Sequence, residues 1–244
     1  MQRYGAAMTA AITLEQRESV LIAHLDDGKA NALSTSIIDG LLSALDQAEA
    51  DSAVTALVIH GRPGRFCAGF DLEVMRGGDV GAVVELVAHG GDLVQRLYGS
   101  AVPVIAACTG HALAAGALML LGCDLRIGAD VDCKIGLNEV AIGMVLPNWA
   151  LTIAAERLSR RHLQLAVANA QITDGRGAVQ AGFLDEAVAL DGVLDAAVAA
   201  GAAWSALDRR AYAGTVHALR GPVLARIGEQ IGADRSMGTA PGVS

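Results

Sequence analysis

The 244-residue sequence is poor in aromatic residues and in lysine. Aromatic side chains make up 3% of the chain, which leaves few rings on which the bases of a single-stranded nucleic acid could stack. The only lysines are Lys29 and Lys134, and the net charge of −8 also argues against a nucleic-acid partner. An anionic small molecule can still bind where basic side chains are locally concentrated.

The sequence also lacks paired cysteines. Its cysteines, Cys67, Cys108, Cys123 and Cys133, form no C-x-x-C pair and lie in apolar segments. We expect free, buried thiols in a reducing compartment, and a zinc site is the weaker alternative. Residues 1–11 lack the basic start, apolar stretch and cleavage site of a signal peptide, so we expect a cytoplasmic protein.

No acidic side chain, lysine or arginine occurs between Ala101 and Cys123, a length that could span a bilayer. Pro103, the triplet Thr109-Gly110-His111 and Gly116 interrupt the stretch. Such breaks favour a buried strand, a turn and a buried helix over one spanning helix. We therefore expect no membrane insertion.

Apolar residues make up 53% of the chain, and the mean hydropathy of +0.43 indicates a large core, subunit interfaces or both. A hairpin over residues 11–25 is followed by a repeated order of strand, loop and helix, which predicts an α/β core with mainly parallel strands. We place this core in residues 1–189 and a C-terminal helical region in residues 190–244. The apolar surface of that region predicts contact with another subunit.

Two segments rich in glycine and alanine, and one isolated acid, stand out in the predicted core. The segments are Phe66-Cys67-Ala68-Gly69-Phe70-Asp71 and Ala112-Leu113-Ala114-Ala115-Gly116-Ala117-Leu118, and the acid is Glu139. Each segment alone is more often a place where a helix packs closely on a strand. Together they resemble the signature of the crotonase, or enoyl-CoA hydratase/isomerase, superfamily, and the resemblance covers residues 12–189.

The resemblance implies a crotonase-like ββα spiral core and a C-terminal helical trimerisation region. Members of the superfamily are commonly trimers or dimers of trimers, so a homotrimer or a pair of trimers is expected. The substrate would be an acyl-CoA thioester, with coenzyme A as part of the substrate, and neither a metal nor a redox cofactor would take part.

Acyl-CoA chemistry of this kind passes through an enolate, whose oxygen needs preorganised hydrogen-bond donors. The resemblance assigns this role to the backbone N–H groups of Ala68 and Ala115. Ala115 stands where the superfamily has glycine. If this position required a positive φ, alanine would be strained there and the oxyanion hole would be misaligned.

Glu139 is the predicted general base. Its neighbours are apolar, which favours a partly desolvated carboxylate with a raised pKa. Leu118 occupies the position at which hydratases of the superfamily carry a second glutamate. The segments around Leu118, Asp124, Glu139 and Trp149 are similar to mitochondrial-type Δ3,Δ2-enoyl-CoA isomerases, in which one acid moves a proton from C2 to C4.

The remaining predicted substrate contacts fall into three groups. Leu118, Leu146 and Trp149 would line an apolar acyl pocket. Lys29, in a loop with Ala30 and Ala32, is the best candidate for a CoA phosphate, and Arg62 and Arg65 are weaker ones. The two glycine-rich segments would contribute Gly69, Phe70, Asp71, Leu72 and Gly116, with Asp71 also capping a short helix.

Three alternatives remain open at this point. In a hydratase, or another reaction of the superfamily, Glu73 or Glu85 would supply the second acid. A non-catalytic acyl-CoA binder would follow if Ala115 had spoiled the oxyanion hole. A nucleotide-dependent oxidoreductase is the most distant reading, because the segment from Gly110 to Gly116 lacks the G-x-G start of a dinucleotide-binding loop.

Overall fold

The computed structural model describes residues 11–237, except for the side chain of Met237. The strands are β1 (Ile12–Arg17), β2 (Val20–Leu25), β3 (Ala56–Gly61), β4 (Gly64–Cys67), β5 (Val104–Cys108), β6 (Gly110–Leu113), β7 (Leu125–Ala129), β8 (Ile135–Gly136) and β9 (Glu186–Val188). The α-helices are α1 (Thr35–Ala50), α2 (Leu72–Met75), α3 (Val80–Tyr98), α4 (Ala115–Gly122), α5 (Asn148–Arg157), α6 (Arg160–Val167), α7 (Gly175–Ala181), α8 (Val193–Ala203) and α9 (Arg209–Met237).

The larger sheet has six strands in the order β1-β2-β3-β5-β7-β9. The hairpin β1-β2 is antiparallel, and every later pair in the sheet is parallel. The middle strands are buried almost throughout, as expected for parallel strands that are covered on both faces. The predicted α/β core with mainly parallel strands is therefore confirmed.

A second, smaller sheet has the order β4-β6-β8, and all its pairs are parallel. Here the interpretation of residues 109–111 as a turn was wrong, because Gly110 and His111 belong to β6. A Cβ atom on Gly110 would lie 2.3 Å from the carbonyl carbon of Gly64. The glycines therefore permit close pairing of two backbones, a role that a sequence pattern does not distinguish from a turn.

Side chains cap the first turns of α1 and α2, and the cap predicted at Asp71 is confirmed. The Ser34 side chain accepts a hydrogen bond from the Ile37 N–H and caps α1, and Asp71 caps α2 through the Glu73 N–H. Ser159 stands at the N-cap of α6, but its side chain makes no capping hydrogen bond.

The C-terminal helices pack on the core at two places. Val193 and Ala197 of α8 lie in one apolar cluster with Val20 and Val58 of the six-stranded sheet. Ile227 and Ile231 of α9 belong to the main core, in which α9 contacts α3 and α5. The boundary after residue 189 stays a prediction.

The described residues bear on two further expectations. All four cysteines are buried and free. Within residues 11–237, no single helix is long and apolar enough to cross a membrane, although the bent pair of segments 190–206 and 209–236 passes the same criteria of length and composition when taken together.

Candidate active site

The three strands of the small sheet lead to the three parts of the predicted site. β4 is followed by Ala68 and Gly69, β6 by Ala114 and the start of α4, and β8 by the segment that ends at Glu139. Because parallel strands end at the same edge of a sheet, these parts meet there. The two glycine-rich segments and the acid are therefore brought together by one short sheet.

Close backbone packing joins the two glycine-rich segments. A Cβ atom on Gly116 would lie 2.2 Å from the Cys67 carbonyl oxygen, so only glycine allows α4 to approach β4 this closely. A Cβ atom on Gly69 would lie 3.8 Å from the backbone nitrogen of Ala115. The backbone at Gly69 thus lies beside the first N–H group of α4.

The predicted donor role of Ala68 is not supported by the structure. The Ala68 N–H donates to the Ala30 carbonyl oxygen at 3.1 Å, so it is already engaged. Two residues later, Phe70 lies opposite Leu33 in a parallel bridge. In this bridge the Leu33 N–H donates to the Gly69 carbonyl oxygen, and the Asp71 N–H donates to the Leu33 carbonyl oxygen. In such a bridge the N–H of the central residue points away from the partner strand.

Phe70 and Ala115 supply the backbone N–H groups that remain free at this edge. Neither N–H has a hydrogen-bond partner within the described part of the chain. Ala115 is the first residue of α4, and the N–H groups of a first helical turn have no partner inside the helix. The sequence could not show that Phe70, and not Ala68, has the free N–H, because the loop backbone alone decides which N–H is free.

The backbone strain expected at Ala115 falls instead on its neighbour. Ala114 has φ +50° and ψ −122°, a conformation that suits glycine, whereas Ala115 begins a regular helix. The Ala114 N–H donates to the Gly136 carbonyl oxygen at 3.0 Å, which holds this residue in place. Alanine at position 115 therefore leaves its N–H correctly placed at the helix start.

A cavity of about 240 Å³ opens beside these groups. It is lined by Ala68, Phe70, Leu72, Met75, Arg76, Val87, Ala114, Leu118, Asn138, Glu139, Ile142, Met144, Val145, Pro147 and Trp149. Most of these side chains are apolar, and Glu139 is the only carboxylate among the described lining residues. Sequence reasoning missed Asn138 and Arg76, although Asn138 stands next to the predicted base.

Glu139 has the environment expected of a general base. Its side chain is 8% exposed, and its Oε2 atom has no hydrogen-bond partner. Burial raises the pKa of Glu139 to about 7, and a hydrogen bond from its own backbone N–H opposes that rise. A carboxyl with this pKa can both remove and return a proton near neutral pH.

The predicted acyl-pocket residues divide into two groups. Leu118 and Trp149 are fully buried and line the cavity. Phe70, which is half-buried, and Leu72, which is exposed, also line it. Leu146 is buried but does not line it, because the chain turns its two neighbours, Val145 and Pro147, toward the cavity instead.

None of the predicted phosphate contacts lines the cavity: Lys29 lies in the loop beside it, and Arg62 and Arg65 lie before and within β4. Ala30 is joined to this edge by its hydrogen bond with Ala68, whereas Lys29 is exposed and Ala32 is half-buried. The Arg65 guanidinium donates to the Gly64 carbonyl oxygen at 3.0 Å. Lys29 thus has a more available cationic side chain than Arg65 beside the cavity.

The two alternative acids, Glu73 and Glu85, do not reach the cavity. Glu73 is exposed on α2. Glu85 lies on α3, where its carboxylate forms an ion pair with Arg235 at 3.1 Å. Neither of them is a lining residue, so neither can serve as a second acid in this geometry.

Two further polar residues, Asp124 and His111, have structural roles outside the cavity. Asp124 accepts hydrogen bonds from the Val104 N–H and the Tyr212 hydroxyl, and pairs with Arg220 at 2.7 Å. Nδ1 of His111 accepts a hydrogen bond from the Lys134 N–H at 2.8 Å. No group of three or more His, Cys, Asp or Glu side chains within residues 11–237 is placed to hold a metal ion.

The sequence comparison agrees with this geometry. A family model described as enoyl-CoA hydratase/isomerase matches residues 15–242. The chain belongs to the enoyl-CoA hydratase/isomerase family. The predicted superfamily is thereby confirmed.

Curated relatives from this family carry both names. The chain is 35% identical over 153 residues to a probable enoyl-CoA hydratase of Bacillus subtilis, a match that covers 62% of this chain and 57% of the relative. It is 30% identical over 207 residues to the human mitochondrial enoyl-CoA delta isomerase 1, covering 84% of this chain and 68% of the relative. The match thus spans between about half and two thirds of these relatives' lengths.

A solved structure confirms the fold over nearly the whole chain. An enoyl-CoA hydratase/isomerase family protein from Pseudomonas syringae superimposes with a TM-score of 0.90 at 36% identity, covering 94% of this chain and 99% of the other. The crotonase-like fold predicted from the sequence is therefore correct.

Proposed function

We propose that this protein is a Δ3,Δ2-enoyl-CoA isomerase, which moves the double bond of a 3-enoyl-CoA into conjugation with the thioester. One observation carries the proposal: Glu139 is the only carboxylate among the described residues that line the cavity. Addition of water across a double bond normally uses two acids. A shift of the double bond needs only one acid that acts twice.

The reaction begins with proton removal from C2 by the ionised Glu139 carboxylate. The electron pair of that C–H bond delocalises over the thioester carbonyl and the 3,4 double bond and gives a conjugated enolate. Protonated Glu139 then delivers the same proton to C4. The C2–C3 double bond forms, the carboxylate is restored, and no water is consumed.

The enolate oxygen is stabilised by the backbone N–H groups of Phe70 and Ala115, in place of the Ala68 and Ala115 pair expected from the sequence. Both N–H groups lack a partner among the described residues. Ala115 also begins α4, so the positive end of the helix dipole lies near the developing negative charge. Donors that are held in place before the reaction lower its barrier because they need no reorganisation.

Leu118 supports the isomerase reaction over hydration. It occupies the position of the second glutamate in hydratases, is 1% exposed, and presents an apolar surface to the cavity. A carboxylate beside Glu139 could position a water molecule, and leucine cannot. The names of the relatives, which include hydratases and an isomerase, are compatible with either reaction.

The same proposal covers the partners of the chain. The CoA moiety would pass along the loop that contains Lys29, and its phosphates would contact that side chain. The protein would act in the cytoplasm as a homotrimer or a dimer of trimers, without a metal or redox cofactor.

Assays of the purified protein with a 3-enoyl-CoA and a 2-enoyl-CoA test the proposal. We expect rapid formation of the 2-enoyl-CoA from the first substrate and no hydration of the second. Rapid hydration without isomerisation would contradict the proposed reaction. Tight binding of both thioesters without turnover would instead support a non-catalytic binder.

A further inference from the structure

Helix α3 has two adjacent glycines, Gly90 and Gly91, in its buried interior. Glycine is, after proline, the least favourable residue inside a helix, so a buried pair of glycines needs a reason in packing. Val87 lies three and four positions earlier and lines the cavity. Residues at these spacings share one face of a helix, so both glycines lie on the face of α3 that carries Val87.

Gly90 receives the tip of the Phe70 ring. A Cβ atom on Gly90 would lie 2.6 Å from Cζ of Phe70 and closer still to Cε1, and its three nearest atoms all belong to that ring. Gly91 differs, because the space beside it is shared by Ile231 of α9 and Trp149 of α5. The space at Gly90 is thus filled by a single side chain, and that side chain lines the cavity.

The backbone of Phe70 is held on both sides, so it cannot follow a displaced ring. The Leu33 N–H donates to the Gly69 carbonyl oxygen at 2.8 Å, and the Asp71 N–H donates to the Leu33 carbonyl oxygen at 3.1 Å. A ring pushed away from Gly90 therefore moves by rotation of its side-chain torsions. The apolar cavity beside the ring is the space that it can enter without exposing more of its surface to water.

We propose that Gly90 is a positioning residue that sets the acyl-chain specificity of the cavity. By receiving the tip of the Phe70 ring, it keeps the cavity open to thioesters whose acyl chain extends well beyond the reacting carbons, which makes medium-chain and long-chain acyl-CoA thioesters the substrate class. The inference rests on the proposed function, because it takes this cavity as the acyl site. Gly90 contacts no reacting atom, and the backbone N–H of Phe70 keeps its place as an oxyanion donor.

The competing explanation is that Gly90 serves only the packing of α3. In that case a ring displaced from Gly90 would turn toward solvent, which the half-buried Phe70 can reach, and the cavity would keep its size. Loss of the glycine would then affect short and long thioesters equally. The two explanations therefore predict different dependences on chain length.

Calorimetric binding of butanoyl-CoA and decanoyl-CoA, both saturated, decides between them without any turnover. In Gly90→Ala we expect the affinity for decanoyl-CoA, relative to that for butanoyl-CoA, to fall about tenfold, as is typical when one methyl group overfills a packed site. Addition of Phe70→Leu, which shortens the displaced side chain, should restore the ratio.

Gly228→Ala is the matched control. A Cβ atom on Gly228 of α9 would lie 2.7 Å from Nε2 of Gln95, so this substitution also displaces the tip of a side chain packed between helices. Neither residue lines the cavity, and the ratio of affinities should stay that of the wild-type protein.

An unchanged ratio in Gly90→Ala would overturn the inference, as would a lowered ratio that Phe70→Leu does not restore. Circular dichroism checks folding. If Gly90→Ala does not fold, Phe70→Trp provides the test, because its larger ring does not fit beside Gly90 and should lower the same ratio. Kinetics with 3-decenoyl-CoA separate the two proposals: without isomerisation by the wild-type protein the proposed reaction fails, whereas the calorimetric ratio still decides whether Gly90 sets the size of the cavity.

Discussion

The backbone N–H of Ala114 donates to the carbonyl oxygen of Gly136 at 3.0 Å, three residues before Glu139. This hydrogen bond connects the start of α4 to the strand that leads to the base. The proposed oxyanion donor Ala115 and the proposed base Glu139 are therefore held by the same three-stranded sheet. A base and a donor fixed to one rigid element keep the constant separation that proton transfer at C2 requires.

Replacement of Glu139 by glutamine should reduce isomerisation while leaving ligand binding intact. Glutamine has nearly the same shape but cannot accept the C2 proton, so we expect kcat to fall by about a hundredfold or more. Steady-state kinetics with a 3-enoyl-CoA and calorimetry with a saturated acyl-CoA measure the two effects separately. Glu73→Gln, which changes an exposed acid outside the cavity, is the matched control. Undiminished turnover in Glu139→Gln would remove Glu139 from the mechanism.

The pH dependence of kcat/KM should report the ionisation of Glu139 in the free enzyme. Burial raises the pKa of Glu139 to about 7, and the carboxyl must be ionised to remove a proton. We expect kcat/KM to rise with pH up to about 7 and then to level off. Rate profiles between pH 5 and pH 9, with folding checked by circular dichroism at each pH, test this expectation. A flat profile below pH 7 would mean that Glu139 ionises at its ordinary pKa or is not the base.

The same carboxyl should reduce protein stability at neutral pH. In the unfolded chain the pKa of Glu139 is close to 4.5, and in the folded chain it is about 7. Between these values the unfolded state binds fewer protons than the folded state. The free energy of unfolding therefore falls as pH rises, and the whole destabilisation by Glu139 is present above pH 7. We expect Glu139→Gln to be more stable than wild type by up to about 3 kcal/mol at pH 8 and by much less at pH 4.

Urea unfolding at the two pH values measures this difference. The exposed Glu73→Gln variant should show almost none of it. A stability difference for Glu139→Gln that is the same at pH 4 and pH 8 would show that the carboxyl is not desolvated in the folded protein.

Side-chain chemistry made much of this site predictable from the sequence. Glu139 stands among apolar residues, and that pattern predicted its burial, although its neighbours Val140 and Ile142 are themselves exposed. The burial of Leu118 was likewise predictable, because α4 is apolar on all sides and such a helix must be buried. That Leu118 and Trp149 line a pocket was an expectation from the family resemblance. The order of strands and helices was sufficient to predict a parallel α/β core.

Backbone geometry was the part that the sequence could not supply. Whether the N–H of Ala68 or that of Phe70 is free depends on the pairing of this loop with Ala30 and Leu33, which are distant in sequence. The pairing of Gly64 with Gly110 has the same origin. In each case the sequence shows only small residues, and tertiary contacts decide which of them turn, pair or donate.

Ala114 provides a test of this backbone geometry. Its φ of +50° with ψ of −122° is unfavourable for any residue with a Cβ atom, so glycine should relieve strain at this position. The gain is partly offset by the greater flexibility of glycine in the unfolded chain, and we expect Ala114→Gly to raise the free energy of unfolding by about 1 kcal/mol. Ala117→Gly, in the buried interior of α4, should instead lower it by at least about 1 kcal/mol.

Urea unfolding of the two variants, followed by circular dichroism, gives both free energies under the same conditions. Each substitution removes one methyl group near the start of the same helix. The two positions differ in the sign of φ, and Ala114 is half-buried at the N-cap whereas Ala117 is buried inside α4. If Ala114→Gly destabilises the protein as much as Ala117→Gly does, Ala114 does not have a positive φ. The start of α4, and with it the direction of the Ala115 N–H, would then differ from the arrangement on which the proposed oxyanion hole depends.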